Sequence, residues 1–395
     1  MAFNFFNLNK ETKVEPKNDS ENNLTESFFN FSTNHNLPKI TESNQYDWIS
    51  YGDNNDYPSY LEDLYSNSPT HQGIIDTKSL IVAGDSYTVD DTLISEEQKL
   101  LLNQMLNYID GKNDIEHFIT TIAKDFELYG AMAIEIIWSL DFTKIVKINR
   151  ISPKYIRSGK FVDGNIDAYF YSRKWTDRKS EKIRIPSFDV NNKEDARQLL
   201  YIPLQLIQNE YYGEAQYFAT RNWIDLEAQT GIYYRSLLDN GFNPSVIFKF
   251  YNKPKTVDAE EIIVKGLKKS FMGVKTNNKM VAVFSNNKET APDIIPIEVS
   301  NIDKQFVIIA GQVSEKILIG HRITTPELFG ISIPGQLGSG DFNVKIDAFT
   351  KFVIRPNQAV IERLINKLFK LNGLSINFKI TPYTLTTNTN TNTNF

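Results

Sequence analysis

Apolar residues recur along this chain in two periods, and the switch between them divides it into blocks. Tyr60, Leu61, Leu64 and Tyr65 follow Pro58 at helical spacing, which predicts a helix opened by proline in its first turn. Ser68 ahead of Pro69 predicts a second helix, continued by Ile74, Ile75, Lys78 and Leu80 and stopped at Gly84. A third runs from Ser95 through Leu100, Leu101, Met105 and Leu106 to Asp110-Gly111. A fourth begins at Asn113 or Asp114 and carries Ile115, Phe118, Ile119, Ile122, Ala123, Phe126 and Leu128 on one wide apolar face. Beyond Gly130 the run AMAIEIIW alternates and is rich in β-formers, and KIVKINRI, KYIRSGKF, DAYFYSRKW, KIRIP and LLYIP come after it as further strands. A helical layer is thus joined to a β-rich one.

From Gly213 to Asn240 the pattern reads as one helix, roughly 40 Å long, ended by the stop signal Asn240-Gly241. On a helical wheel Glu214, Arg221, Asp225, Gln229, Ser236 and Asp239 share one side. Ala219, Trp223, Leu226, Thr230, Tyr234 and Leu237 share the other, and Phe218 and Ile232 interrupt the polar side. A small β-α-β-β insert comes next: SVIFKFY, a helix from Pro254 to Phe271 with Asp258 as its cap, KMVAVFS and IIPIEV. Ile302, Phe306, Ile309, Val313 and Ile317 mark a return helix closed at Gly320. Residues 342–354 read as helix, interrupted by Pro356, and Val360, Ile361, Leu364, Ile365, Leu368 and Phe369 form a last amphipathic helix stopped by Asn372-Gly373.

At 395 residues and 41% hydrophobic composition the chain can bury a sizeable core in more than one unit. The segment up to about Ile40 is rich in Asn, Glu, Ser and Lys, and reads as a flexible arm or one ordered only against a partner. TLTTNTNTNTNF is a low-complexity tail without chemistry. The net charge of -5 argues against binding DNA through bulk counterion release. The absence of cysteine removes disulfides, thiolate catalysis and Cys-zinc sites together. No apolar run approaches the roughly 20 residues of a membrane span, and the N-terminus lacks the pattern of a signal peptide. A soluble intracellular protein without membrane contact is the expectation.

Catalytic chemistry finds no support in the motifs. His35, His71, His117 and His321 are scattered without metal-ligand spacing and read as surface or cap histidines. Asp53 and Asp56 in YGDNNDYP lack the glycine and bidentate glutamate of a calcium loop, and fit an Asx turn before a helix. PGQLGSGD lacks the Lys-Ser/Thr of a phosphate loop, and no GxSxG elbow appears. The anomaly is the loop from Gly320 to Gly340, which holds five glycines and two prolines between two helices. A connection that long is commonly functional or disordered. Arg322 is its one basic group, with Thr324, Thr325, Gln336 and Ser339 as neutral hydrogen-bonders, a chemistry suited to a loose, mobile contact; a surface lid or linker remains the alternative.

Taken in order, the motifs resemble those of the tailed-bacteriophage portal proteins, the head-to-tail connector family. Trp48, YGDNNDYP, NSPTHQGIIDTKSLIVAGD and DFELYGAMAIEIIW resemble the family's opening. YYGEAQY, NGFNPSVIFKF, ILIGHRITTPELFGI, GSGDFNVKIDAF and IRPNQAVIERLINKLF resemble its C-terminal half, so that the likeness runs from about Trp48 to Leu371. Each motif is weak alone, and the order and spacing carry the specificity. Ile323-Thr324-Thr325-Pro326 stands where relatives often have Val-Pro-Pro.

The resemblance implies an α+β, portal-like fold and a ring, usually of twelve subunits, at one vertex of a capsid. It implies an N-terminal arm (1–40), a wing (41–212), stem helices (213–241 and 301–320) around a clip (242–300), a tunnel loop (321–340), wing or crown-side helices (341–373) and a C-terminal tail (374–395). On that reading Arg322, Thr324, Thr325 and Gln336 lie near DNA, and Asp225, Gln229 and Asp239 line the channel, where acidic groups repel phosphates and let DNA slide. The implied partners are further copies of the chain, the major capsid protein, the terminase large subunit, a head-tail adaptor and double-stranded DNA. The implied location is the virion, after assembly in the host cytoplasm. No catalytic residue, cofactor or metal is expected. The alternatives are a metal-dependent hydrolase or nuclease acting through clustered carboxylates, and a portal-like ring of a gene-transfer particle.

Overall fold

The helices form where capping residues and apolar spacing coincide. In the computed structural model, which describes residues 40–207, 209–239, 247–250, 281–284, 302–324, 326–330 and 342–383 and isolated positions between 254 and 265, α1 (Tyr57–Asn67) has Pro58 in its first turn. The Ser68 side chain accepts from the His71 N–H to start α2 (Pro69–Ala83). Ser95 and Gln98 form a reciprocal capping box on α3 (Glu96–Asn107). Asp114 caps α4 (Ile115–Tyr129), which Gly130 ends in the left-handed region at φ 70. The N-terminal arm, residues 384–395 and the last strand of the expected insert lie outside the described residues.

Two short antiparallel pairs, β1 (Ile40–Thr41) with β2 (Ser50–Tyr51) and β7 (Phe161–Val162) with β8 (Asn165–Ile166), flank a larger β-layer. In it β4 (Ala131–Trp138) runs antiparallel between β5 (Ile145–Ile151) and β11 (Arg197–Pro203). A second sheet sets β9 (Ala168–Tyr171) between β6 (Ile156–Ser158) and β10 (Ile183–Pro186), also antiparallel. β4 is buried on both faces: Met132, Ile134, Ile136 and Trp138 join the helical core, while Ala133 joins Ile156, Tyr169, Ile185 and Leu199 on the other side. The apolar residues of both registers in AMAIEIIW follow from that sandwiching.

The two long helices are α5 (Arg221–Asp239) and α6 (Ile302–Gly320). Between them β12 (Ile247–Phe250) pairs in parallel with β13 (Val281–Phe284), which requires a crossover connection. α5 is shorter than the expected helix from Gly213, with 19 residues or about 28 Å. Residues 213–217 are not helical; a single 3-10 turn, Phe218–Thr220, precedes α5. Tertiary bonding takes the place of helix there: the Glu214 N–H bonds to the Gln205 carbonyl (3.0 Å), and the Gly213 backbone lies so close to Gly130 that a side-chain carbon on it would stand 2.1 Å from the Gly130 carbonyl oxygen.

Past the loop, α7 (Phe342–Phe349) passes through a π-turn, Thr350–Ile354, straight into α8 (Arg355–Leu371). The sequence places an interruption at Pro356, and the structure has none. The wider turn lets the Arg355 N–H bond to the Thr350 carbonyl, so the missing proline N–H falls where the ladder is already rerouted. Part of the expected C-terminal tail is ordered as β14 (Asn377–Thr381), antiparallel to β3 (Ser86–Asp90). Phe378 and Ile380 of β14 share one core with Ile119, Ile122, Phe126, Phe349, Ile361, Ile365 and Phe369, so the C-terminal helices pack on the N-terminal helical layer.

Candidate functional site

The run YYGEAQY seats the two long helices on the rest of the chain. Tyr212 stacks on Tyr51 at 3.9 Å and 2°, and its hydroxyl donates to the Ile49 carbonyl (2.5 Å) while accepting from the Ser158 N–H (3.1 Å). Tyr217 donates to the Leu128 carbonyl (2.6 Å) and Tyr51 to the Gly213 carbonyl (3.3 Å). Burial pushes the hydroxyls of Tyr51, Tyr212 and Tyr217 up, so they stay protonated and serve as donors. Arg157 fills the space beside them, with its guanidinium 4.8 Å from the Trp175 ring and bonded to the carbonyls of Asn55, Lys154 (3.0 Å) and Ile156 (2.7 Å). Burial lowers it to about 10, still charged at neutral pH. The Asn55 side chain closes the preceding turn on the Tyr51 N–H (3.0 Å), and Asp56, at the start of α1, makes no side-chain cap bond.

Around this seat the helices α1, α2 and α4 bury Leu61, Leu64, Ile74, Ile75 and Leu128 against Ile224 of α5 and Val313, Ile317 and Leu318 of α6. α5 begins and α6 ends at one place, since a side chain on Gly320 would meet Thr220 at 2.1 Å. The pair is therefore antiparallel and leaves the seat together, with the insert joining the far ends.

Below the seat lies an ion pair away from water. Lys78 of α2 meets Glu127 of α4 at 2.8 Å, both buried; Lys78 also donates to Gln216 (2.6 Å), and Asn357 of α8 donates to Glu127 (2.6 Å). Such a pair specifies how four segments meet and leaves no free charge for chemistry. Nearby, the Glu227 carboxylate of α5 accepts from Ser68 and Thr70 side chains at the N-terminus of α2, where a negative charge is favoured. Sequence spacing carried no sign of either arrangement.

The residues singled out from the sequence fall in different places. Asp225 is half-buried on α5 and faces Tyr60 of α1, whose hydroxyl is raised by burial and then by that carboxylate. Gln229 is exposed on α5. Asp239 is the last residue of α5, and its side chain lies outside the described residues. Arg322 is exposed and in the left-handed region at φ 58. Thr324 is exposed and donates to the Lys345 carbonyl of α7 at 3.1 Å. Thr325 and Gln336 lie outside the described residues.

Two histidines correct the surface reading. His71 of α2 and His321, directly after α6, are fully buried, with Nδ1 of one 2.9 Å from Nε2 of the other. The Tyr217 ring lies 4.4 Å from His71 and 5.2 Å from His321. His117 is exposed on α4, as the surface reading expects, and its backbone N–H bonds to Asp114 (2.8 Å). Among the described residues no three His, Cys, Asp or Glu side chains gather as a metal site would need.

No protein-family model matches the chain, and no curated protein does. Solved structures match in fold. A chain of the neck of the empty gene transfer agent (GTA) particle, computed with C6 symmetry, superposes with a TM-score of 0.56 at 16% identity, over 82% of this chain and 84% of that one. The native GTA neck computed with C12 symmetry superposes at 0.54 and 16%, over 82% and 83%. A HK97-family phage portal protein from Corynebacterium diphtheriae superposes at 0.42 and 11%, over 81% and 94%, too loosely to argue from. At these identities the fold is what is shared, and the resemblance read from the motifs holds at that level.

Proposed function

We propose that this chain is the subunit of a portal-type ring at one vertex of a capsid, through which double-stranded DNA enters and leaves. The observation that carries the reading is the fold shared with a GTA particle neck over 82% of the chain, in a protein whose motif order independently resembles the portal family. On this reading residues 41–212 with 341–373 form the body, α5 and α6 the stem, 242–300 the clip and 321–340 the tunnel loop. The shared core of the N-terminal and C-terminal helices supports treating them as one body. Arg322, Thr324, Thr325 and Gln336 approach DNA, and Gln229, Asp225 and Asp239 belong to a wall that resists trapping phosphates. The role is structural. A terminase motor docks on the clip and gives way to a head-tail adaptor, and the capsid shell surrounds the body.

The test is electron microscopy of the purified full-length protein: rings with a central hole and one rotational symmetry are expected. A monomer at every concentration in sedimentation would overturn the reading. A GTA-type particle is the second reading, favoured by the two GTA necks among the fold matches. Sequencing the DNA inside particles that carry the protein separates the two, since a GTA packages host fragments and a phage its own genome.

A further inference from the structure

We propose that His71 and His321 form an acid-releasable pin that holds the end of α6, and the first residues of the loop after it, against α2. The pin joins positions 250 residues apart, and it is the only hydrogen bond either ring makes among the described residues. The turn at this end of α6 is otherwise held locally: the backbone N–H groups of His321, Arg322 and Ile323 bond to the carbonyls of Ile317 (3.1 Å), Ile319 (2.9 Å) and Leu318 (2.9 Å). Freed from α2, that last turn keeps its own hydrogen bonds, the Gly320–Thr220 contact, the Tyr217 ring and the packing of Ile317 and Leu318 on α1, α4 and α5. The inference is independent of the ring.

Proton bookkeeping shows why the contact is sensitive to acid. One N–H serves the shared bond, so one ring must donate and the other must present a lone pair. Nε2 of His71 and Nδ1 of His321 have no partner, which leaves one N–H and one lone pair buried whichever ring donates. A second proton on His321 Nε2 or His71 Nδ1 would set N–H against N–H and break the bond. Nothing nearby welcomes the added charge. Lys78 of α2 is held by Glu127 of α4 and disfavours a charged His321. Glu227 of α5 is engaged by Ser68 and Thr70, and Arg355 and Glu362 of α8 pair with each other. Tyr217 contacts both rings, and Tyr57 and Tyr60 of α1 and Tyr129 of α4 lie around it, all neutral. Asp225 and Arg221 of α5 act on Tyr60. Asp76 of α2 pairs with Lys124 of α4, Asp125 of α4 with Arg150 and Glu62 of α1 with Lys154; Glu214 before α5, Glu315 and Lys316 of α6, Arg322 and Glu327 in the loop and Lys351 of the π-turn are further ionisable groups of the packed elements.

The sign is fixed by where the protons go. Burial holds His71 down to about 3, and burial, the neighbouring ring and Lys78 hold His321 well below its ordinary value. Once exposed, each ring titrates near 6.5, so the open state binds more protons below that pH. Closure is fully stable above about pH 6.5 and weakens as pH falls toward 3. At pH 5 each exposed ring favours opening by about 30-fold, and both together by about 1000-fold.

Hydrogen exchange of the full-length protein at pH 8 and pH 5, corrected for intrinsic rates, tests the pin. Protection of the His321–Ile323 amides should fall at least about tenfold more than that of the α4 amides, while H71N/H321N shows low protection with no such pH dependence. Equal pH dependence in that double variant would overturn the proposal. If the variant does not fold, the imidazole Cε1–H resonances of the wild type decide: two rings unshifted to pH 5, with protection unchanged, also overturn it.

Discussion

The two ends of the α5–α6 pair obey different rules. At the seat the chain supplies its own contacts: Ile224, Val313, Ile317 and Leu318 are buried, Glu227 is bonded, and the hydroxyls of Tyr51, Tyr212 and Tyr217 satisfy backbone carbonyls. Leu226, between Ile224 and Glu227, is already 40% exposed, and farther out Ile232 is 52% and Ile309 36% exposed. Among the described residues these apolar side chains are exposed next to polar Gln229 and Gln312, and the proposed ring would cover them with neighbouring subunits. On the proposed function the seat serves folding and the outer half assembly.

Substitutions sharpen that division. Glu127→Ala strands Lys78 in the interior and should cost about 3–5 kcal/mol, read as a lower midpoint of urea unfolding. Gly213→Ala forces the backbone away from Gly130 and should cost about 3 kcal/mol, with α5 losing protection in hydrogen exchange before α3 does. Glu227→Gln removes the charge at the α2 N-terminus and should cost about 1 kcal/mol, less at high salt. Ile232→Ser should change unfolding of the chain by under about 0.5 kcal/mol yet reduce the ring fraction in sedimentation. A loss of stability from Ile232→Ser as large as that from Gly213→Ala would erase the distinction between the two ends.

Much of the fold was legible because its signals are local. Ser68, Ser95, Asp114 and Gly130 act on backbone groups within four residues, so the limits of α2, α3 and α4 can be read from neighbours in sequence. The mixed helix-and-sheet class followed from the change of period at Ala131, and the long helices from their spacing. The candidate site was legible only in part. Arg322 and Thr324 could be named as loop residues, whereas the α2 contacts of Glu227 and the burial of His71 and His321 carry no local signal.

What the sequence by itself determined is most of the described helices and the central strands, in their order, since propensity, capping and apolar period depend on residues a turn apart. Tertiary structure alone decided that α5 begins at Arg221 and not at Gly213, because the Glu214 N–H bonds to the Gln205 carbonyl and the Gly213 backbone packs on Gly130. It decided that Pro356 lies within continuous helix and that residues 377–381 close onto β3. It also brought Lys78 to Glu127 and His71 to His321, pairings made by the path of the chain between them, which no short-range pattern encodes.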